Sequence, residues 1–348
     1  MNDDIEETPP RAIGAAAAPT EKRGFMIGKF FPPQKGHEYL GTFASAHCGG
    51  DLTIMVESND SQDIPGTLRA QWMREIVPGA NVVNCHEALP QDPSETPEFW
   101  TIWADVLRRH APEGVTHVYA SETYGLRIAE ILGAEFVPVD IERRCRDVSA
   151  TRVRANPFGM WDMLPTPVRA HYCRRVVLIG PESSGKSTLA AELGRELNTV
   201  VAPEYGRVWC DVFGTPDAAG LRAIARGHSA GVHAARRQAN KVLIEDTDAA
   251  MTQVWADMLG HPRDPEIESF WTAPDLYVVC DVDGPWVDDG QRWFPDPEDR
   301  RRFLQLCIDE AKARRVPWTI ATGDVETRVD SVLLAMMRHL PVGAIDPN

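Results

Sequence analysis

Eight consecutive residues of this chain have the types and spacing to grip a polyphosphate. Gly180-Pro181-Glu182-Ser183-Ser184-Gly185-Lys186-Ser187 fits G-x-x-x-x-G-K-[ST], the P-loop pattern, and Thr188 follows it. In such a loop the backbone curls so that successive N–H groups point inward at the phosphates. Gly180 and Gly185 permit the turn and the close approach, and Ser183, Ser184 and Thr188 complete the cradle. Lys186 sets a point charge on the β- and γ-phosphates, and Ser187 offers a hydroxyl to Mg²⁺. ATP with Mg²⁺ is the expected ligand. The flanks agree: residues 176–179 are a short apolar run suited to a buried parallel strand. Leu189, Leu193 and Leu197 then fall on one face of a helix whose N-terminal dipole favours an anion.

Other chemistry-bearing residues stand where predicted strands end. Residues 241–248 form a strand closing on Asp246-Thr247-Asp248. Downstream of a P-loop, Asp246 has the place that holds a Mg²⁺ hydration shell; an ordinary strand-end turn is the alternative, and both stay open for Asp248. Glu204 follows a second strand within Pro203-Glu204-Tyr205-Gly206-Arg207. Beyond Asp281, a loop-then-helix stretch bears Trp286, Arg292, Arg300, Arg301 and Arg302, which suits a lid over ATP and equally a solvated surface. In the first half, His37 begins a helix after strand 24–28. Its Nε2 can donate to a phosphate oxygen whose charge grows in a transition state, although a capping or surface histidine has the same spacing. Ser149 and Thr151 offer hydroxyls, and Arg152 and Arg154 offer guanidinium groups to phosphate oxygens. A helix cap followed by solvated arginines would look the same. Trp100 and Trp103 share a helix face, either as core or as a stacking surface for a flat heterocycle.

These residues need elements to position them. Strands at 24–28, 52–57, 115–120 and 136–139, with helices at 38–47, 68–76 and 97–110, predict an α/β doubly wound, Rossmann-like sheet. Strands at 176–179, 199–202, 241–248, 276–280 and 318–321, with helices at 218–238 and 326–340, predict a second parallel sheet carrying the P-loop. The expected division is a disordered tail at 1–23, a first domain at 24–155, a proline-bearing connection at 156–172, a P-loop domain at 173–341 and a loose tail at 342–348.

The chain has 348 residues, more than one core usually serves. Its 43% hydrophobic and 25% charged content is that of a soluble globular protein. A net charge of −15 repels a polyanion such as DNA unless a local basic patch intervenes. Nucleotides can still bind through Mg²⁺ and a few placed cations. Seven scattered cysteines without C-x-x-C predict reduced thiols in a cytoplasmic setting. No apolar run approaches a membrane span, and no basic-then-apolar leader opens the chain.

Taken together, the motifs resemble the NadR-type bifunctional nicotinamide-mononucleotide adenylyltransferase/ribosylnicotinamide kinase family. The resemblance runs from about residue 24 to 340. In the first half it rests on Gly28-Lys29-Phe30, Gly36-His37 and Ser149-x-Thr151-x-x-Arg154, and between the halves on Asn156-Pro157-Phe158 with Trp161. In the second half it rests on residues 180–188, Glu204-Tyr205-Gly206-Arg207, Asp246-Thr247-Asp248 with Thr252-Gln253, and Pro285-Trp286-Val287 with Asp289-Gly290 and Arg292. It implies two ATP-dependent transfers in NAD biosynthesis. The second half would phosphorylate ribosylnicotinamide, with Lys186 and Mg²⁺ spreading charge, Ser187 and Asp246 on the metal, and Glu204 or Asp246 orienting or deprotonating the acceptor hydroxyl. The first half would join ATP to nicotinamide mononucleotide, releasing pyrophosphate. There His37 would face the α-phosphate; Gly28, Lys29, Phe30, Gln34, Gly36, Ser149, Thr151 and Arg154 would bind ATP. Arg69, Trp100, Trp103, Tyr205, Asp248 and Trp286 would contact substrates, and Arg292 the nucleotide.

Two departures stand out. Family members often begin with a DNA-binding helix-turn-helix, whereas only tail-like residues precede the first strand here, so no DNA partner is expected; a homo-oligomer is compatible. The superfamily's H-x-G-H is Gln34-Lys35-Gly36-His37, and a neutral glutamine replaces a side chain that can carry charge. The alternative is therefore a working kinase whose first half is an impaired adenylyltransferase that senses nicotinamide nucleotides.

Overall fold

A computed structural model describes residues 22–142, 150–284, 286 and 292–345. Packing divides them into two compact units, one of residues 22–29 and 39–142, the other of 30–38 and 150–345. The loop after the first strand thus groups with the second unit.

In the first unit the order is β1 (Gly24–Gly28), α1 (Lys35–His47, which begins in the grouped loop), β2 (Leu52–Ser58), α2 (Gly66–Ile76), β3 (Asn81–His86), α3 (Phe99–His110), β4 (His117–Ala120), α4 (Tyr124–Leu132) and β5 (Glu135–Pro138). All strand pairs are parallel, in the order β3-β2-β1-β4-β5. The strand order reverses at β1, so the crevice beyond its C-terminal end is where such a sheet takes ligands. β2 is buried along its whole length, as a continuous apolar run requires. The sequence reading contained neither β3 nor α4. β3 is an edge strand with Asn81 and His86 exposed, and its polar residues mask the pattern. The tail expected at 1–23 reaches too far: the Arg23 backbone N–H donates to Thr116 Oγ1 at 2.8 Å, so the described end is tied down.

The second unit contains α5 (Ala150–Ala155), a 3₁₀ turn (Trp161–Met163), α6 (Thr166–Tyr172), β6 (Arg174–Ile179), α7 (Lys186–Glu196), β7 (Val201–Ala202), α8 (Tyr205–Phe213), α9 (Ala218–Ala235), β8 (Val242–Asp246), α10 (Ala249–Met258), α11 (Pro265–Ser269), β9 (Leu276–Cys280), α12 (Pro297–Ala313), β10 (Trp318–Ala321) and α13 (Val325–His339). Its parallel sheet runs β10-β9-β6-β8-β7, and β6, which feeds the P-loop, lies centrally between β8 and β9. α10 escaped the sequence reading because it is buried nearly all round and has no polar face to set a helical stripe.

The segment at 156–172 is more than a connection. Phe158, Trp161, Leu164 and Val168 are buried, and the Phe158 and Trp161 rings stack. Pro167 sits in the first turn of α6, where its missing N–H costs nothing. The tail after Pro341 is not loose throughout either, since Ala344 is buried.

Beneath the sheet, Glu245 on β8 takes a bidentate ion pair from Arg175 on β6, at 2.5 and 2.7 Å. Glu245 is fully buried, and Arg175 also donates to the carbonyl and hydroxyl of Thr272. Glu245→Ala strands a buried guanidinium. The expected cost is about 3–5 kcal/mol, read as an earlier unfolding transition in urea or on heating.

Candidate active site

The P-loop closes on itself through its own polar groups. Gly180 has φ +150°, and a Cβ there would stand 2.7 Å from the Cys280 carbonyl oxygen. Ser183 and Gly185 also have positive φ, at +59° and +81°. The curl is held from inside and outside. Lys186 Nζ donates to the carbonyls of Gly180 and Pro181, both at 2.9 Å, and Ser184 Oγ donates to Pro181 O at 2.8 Å. From α13, buried Arg328 donates to Ser184 O at 2.6 Å and to Gly323 O at 2.9 Å, and it pairs with Asp283. Burial works against the Asp283 carboxylate, but the Gly323 N–H and the Arg328 guanidinium more than offset it and hold its pKa below the usual range. Arg328 was not among the residues read from the sequence. It lies 144 residues from its P-loop partner, with no local motif to mark it.

The loop forms one wall of a cleft of about 540 Å³. Lys186, Ser187 and Asp246 line it together with Glu204, Arg207, His228, Trp255, Arg292 and Trp293, among others. Ser187 Oγ donates to Asp246 Oδ2 at 2.5 Å, while Asp246 Oδ1 is buried with no hydrogen-bond partner. A hydroxyl and a carboxylate with an orphaned oxygen are hard oxygen donors beside a phosphate cradle, so the pair fits Mg²⁺. Thr247, next in line, has φ +86° and sits on the cleft wall. Glu204 stands at the N-cap position of α8, half-buried and with no capping bond from its side chain. Burial pushes its carboxyl above the ordinary range; nearby Lys186 pulls it back and Asp246 pushes it up.

The arginine-bearing stretch after β9 is clamped onto the P-loop at two points. Arg292 donates to Ser183 Oγ at 2.5 Å, and the Phe294 N–H donates to Glu182 Oε1 at 2.5 Å. The guanidinium centres of Arg292 and Arg300 are 5.6 and 5.7 Å from the Trp286 ring, which is not on the cleft wall. Arg300 is buried in α12, whereas Arg301 and Arg302 are exposed. Pro285, Val287, Asp289 and Gly290 lie outside the described residues.

Two expected substrate contacts in this unit are employed elsewhere. Asp248 caps α10 through the Met251 N–H at 2.9 Å and takes the Tyr277 hydroxyl at 2.5 Å. The Tyr205 ring packs across Gly227 of α9, where a Cβ would come within 2.2 Å of it, and it does not line the cleft. Trp255, Trp293, His228 and Thr252 do line it. Thr252 lay within the quoted motifs without a role, and the other three carried no signal because their neighbours in space are remote in sequence.

The phosphate motif of the first half is divided between the units. In the loop of the second unit, the Gln34 backbone N–H donates to His37 Nδ1 at 3.1 Å. A backbone N–H only donates, so Nδ1 accepts and the neutral ring carries its proton on Nε2. Phe30, buried, meets the His37 ring edge-on at 5.1 Å. Gln34 is also buried and its carbonyl accepts from the Glu38 N–H; an added Cβ on Gly36 would meet nothing. Arg154 on α5 donates to Phe31 O at 2.5 Å and to Thr151 Oγ1 at 3.3 Å. Ser149 lies outside the described residues.

Within the first unit Gly28 ends β1, and the exposed Lys29 follows it. Arg69 has no exposed surface. It donates to the carbonyls of Lys29 and Glu57 and to Gln62 Oε1, so it serves the scaffold, which corrects its expected substrate contact. Trp103 packs on the core and its indole N–H goes to Pro90 O at 2.9 Å. Trp100 is half-buried, with Phe99 edge-on at 5.1 Å and the Arg127 guanidinium 5.9 Å from its ring. The cysteines among the described residues are free thiols. No helix among those residues is long and apolar enough to cross a membrane.

Residues 175–328 match the model of an AAA domain. The chain is 30% identical over 338 residues to the trifunctional NAD biosynthesis/regulator protein NadR of Escherichia coli K12, covering 89% of this chain and 82% of that one. It belongs to the NadR family. The NadR of Salmonella typhimurium LT2 is likewise 30% identical, over 315 residues, covering 84% of this chain and 77% of its own. Crystal structures of a NadR protein in complex with NR, and with NAD and AMP-PNP, superpose with TM-scores of 0.71 and 0.69 at 20% identity. Each covers 94% of this chain and 98% of the NadR chain, which establishes the fold throughout. Both parallel α/β sheets are therefore those of NadR proteins.

If Ser187 and Asp246 hold the metal, Ser187→Ala and Asp246→Asn each weaken Mg-ATP binding by about 10- to 100-fold. Calorimetry in excess EDTA, by contrast, registers little change for ATP alone.

Proposed function

We propose that the second unit phosphorylates ribosylnicotinamide with ATP and that the first half transfers an adenylyl group from ATP to nicotinamide mononucleotide, giving NAD. The observation that carries this is the convergence of Lys186, the Ser187–Asp246 pair and Glu204 on one cleft in a chain of the NadR family. The NadR complexes with NR, NAD and AMP-PNP support the choice of ligands.

In the kinase step the 5′-hydroxyl oxygen attacks the γ-phosphorus. The bond from that phosphorus to the β,γ-bridging oxygen breaks, and ADP leaves. Glu204 takes the hydroxyl proton, for which its raised pKa suits it. Lys186 exchanges its contacts with the loop carbonyls for phosphate oxygens and stabilises the charge that gathers there. Ser187 and Asp246 would hold Mg²⁺, which would supply further neutralisation of phosphate charge. Trp255 and Trp293 give the cleft an aromatic wall for a flat ring.

In adenylyl transfer a phosphate oxygen of the mononucleotide attacks the α-phosphorus. The bond to the α,β-bridging oxygen breaks and pyrophosphate leaves. His37, its proton on Nε2, donates to the α-phosphate oxygens as charge builds. Arg154 and Thr151 are the proposed partners of the outer phosphates. Gln34 can add only a neutral hydrogen bond where a charged one is about twice as strong. That favours slow adenylyl transfer, or the sensing role, over a fully active first half.

Lys186→Ala should remove kinase turnover by about a thousandfold or more and leave adenylyl transfer in place. His37→Ala should do the reverse. Gln34→His should raise adenylyl transfer, by up to about a hundredfold if it restores 2–3 kcal/mol. These outcomes are read by chromatography of NAD and nicotinamide mononucleotide after incubation with ATP. Kinase kcat/KM should rise with pH through a limb lying above the ordinary carboxylate range, because the base must be deprotonated and burial raises its pKa. Glu204→Gln should abolish that limb together with most of the rate.

A further inference from the structure

His228 is the anomaly of the P-loop cleft. It lies on α9 and is only 5% exposed, and neither Nδ1 nor Nε2 has a hydrogen-bond partner. Folded interiors pair their buried polar groups, so a side chain orphaned at both ends points to a partner that arrives with a ligand. The ring borders two spaces. One is the cleft of Lys186 and Glu204; the other is a cavity of about 30 Å³ that Arg175, Ser229, Asp248 and Thr272 help to line. A polar cavity of that size accommodates one water, enough to serve one ring nitrogen. Neither nitrogen has appreciable exposed surface, so a ligand group that pairs with the other one must seat deep against the cleft wall.

Position decides what it meets there. His228 and Glu204 line the same cleft. The histidine stands on α9, which packs against α8, and α8 has Glu204 at its N-cap position, so His228 lies on the acceptor's side. A nucleoside presenting its 5′-hydroxyl to Glu204 brings its sugar hydroxyls within a few ångströms of the same wall. A hydroxyl donates and accepts, so it suits either tautomer of a neutral imidazole. The apolar edge of a heterocycle would leave the nitrogen unpaired, and the phosphates already have Lys186.

We infer that His228 reads the sugar of the acceptor: its imidazole hydrogen-bonds a ribose hydroxyl, so that the cleft prefers a ribonucleoside over its deoxy counterpart. This rests on the kinase reading above. A site built to hydrogen-bond a hydroxyl rejects an analogue lacking it, because the protein group is then left unpaired.

The test compares ribosylnicotinamide with its 2′-deoxy and 3′-deoxy analogues as acceptors for the full chain, as wild type, His228→Gln and His228→Leu. Wild type should lose at least about tenfold in kcat/KM with one of the deoxy analogues. His228→Leu should raise the KM for ribosylnicotinamide at least about tenfold and discriminate between the acceptors by less than about twofold, with KM for ATP within about twofold of wild type. His228→Gln should recover part of the discrimination. The Tm of ligand-free His228→Leu should not fall, since the substitution removes an unpaired buried imidazole. Discrimination that persists in His228→Leu overturns the assignment. So does a lowered Tm with both KM values raised, which is the signature of a structural histidine. Equal use of ribose and deoxyribose acceptors by wild type sinks the sugar assignment alone. Failure of wild type to phosphorylate any of the three sinks the kinase reading with it.

Discussion

A backbone that turns its N–H groups toward one point must turn its carbonyls away, and those carbonyls need partners of their own. That constraint governs the second unit. Lys186 satisfies the carbonyls of Gly180 and Pro181, and Arg328 satisfies that of Ser184. The carbonyls that the curl turns outward are therefore met by the protein's own cations. Asp283 keeps Arg328 in place, and Gly323 ties Asp283 to the start of α13. The last helix of the chain thus braces a loop at the unit's centre.

Polar groups without partners mark the opposite strategy. Asp246 Oδ1 and the His228 ring are buried and unsatisfied on the wall of one cleft. Elsewhere in the unit some comparable groups are fully engaged, as in the Arg175–Glu245 pair and the Asp248 cap, while Nε of Arg174, Arg236 and Arg300 is not. Two unsatisfied groups on one cleft wall fit a binding site, where a ligand can supply the missing partners. On the same wall, burial pushes the Glu204 carboxyl above the ordinary range.

The sequence placed single-stretch features well. β1, β9 and β10 stand at their expected residues, and the P-loop leads into its helix as the spacing demanded. It failed where burial erased periodicity, as in α10, and where an edge strand carried polar residues, as in β3. Arg69 misled for a related reason. An arginine is usually a surface group, yet this one is wholly buried among carbonyls that only the folded sheet assembles. The proline-bearing segment at 156–172 looked like a connection because prolines punctuate it, but its aromatic residues stack and bury.

By itself the sequence determined which chemistry the chain can attempt. The eight-residue P-loop, the strand-end Asp246 and the Gln34-for-histidine replacement are local facts, settled by residue type and short spacing. Only the tertiary structure decided which groups share the cleft. Ser187 meets Asp246 across 59 residues, and Arg328 reaches the P-loop across 144. His228 reaches the cleft from the middle of a helix whose own pattern marks nothing. A hydrogen bond depends on distance in space, and a parallel sheet brings together strand ends that the chain keeps far apart.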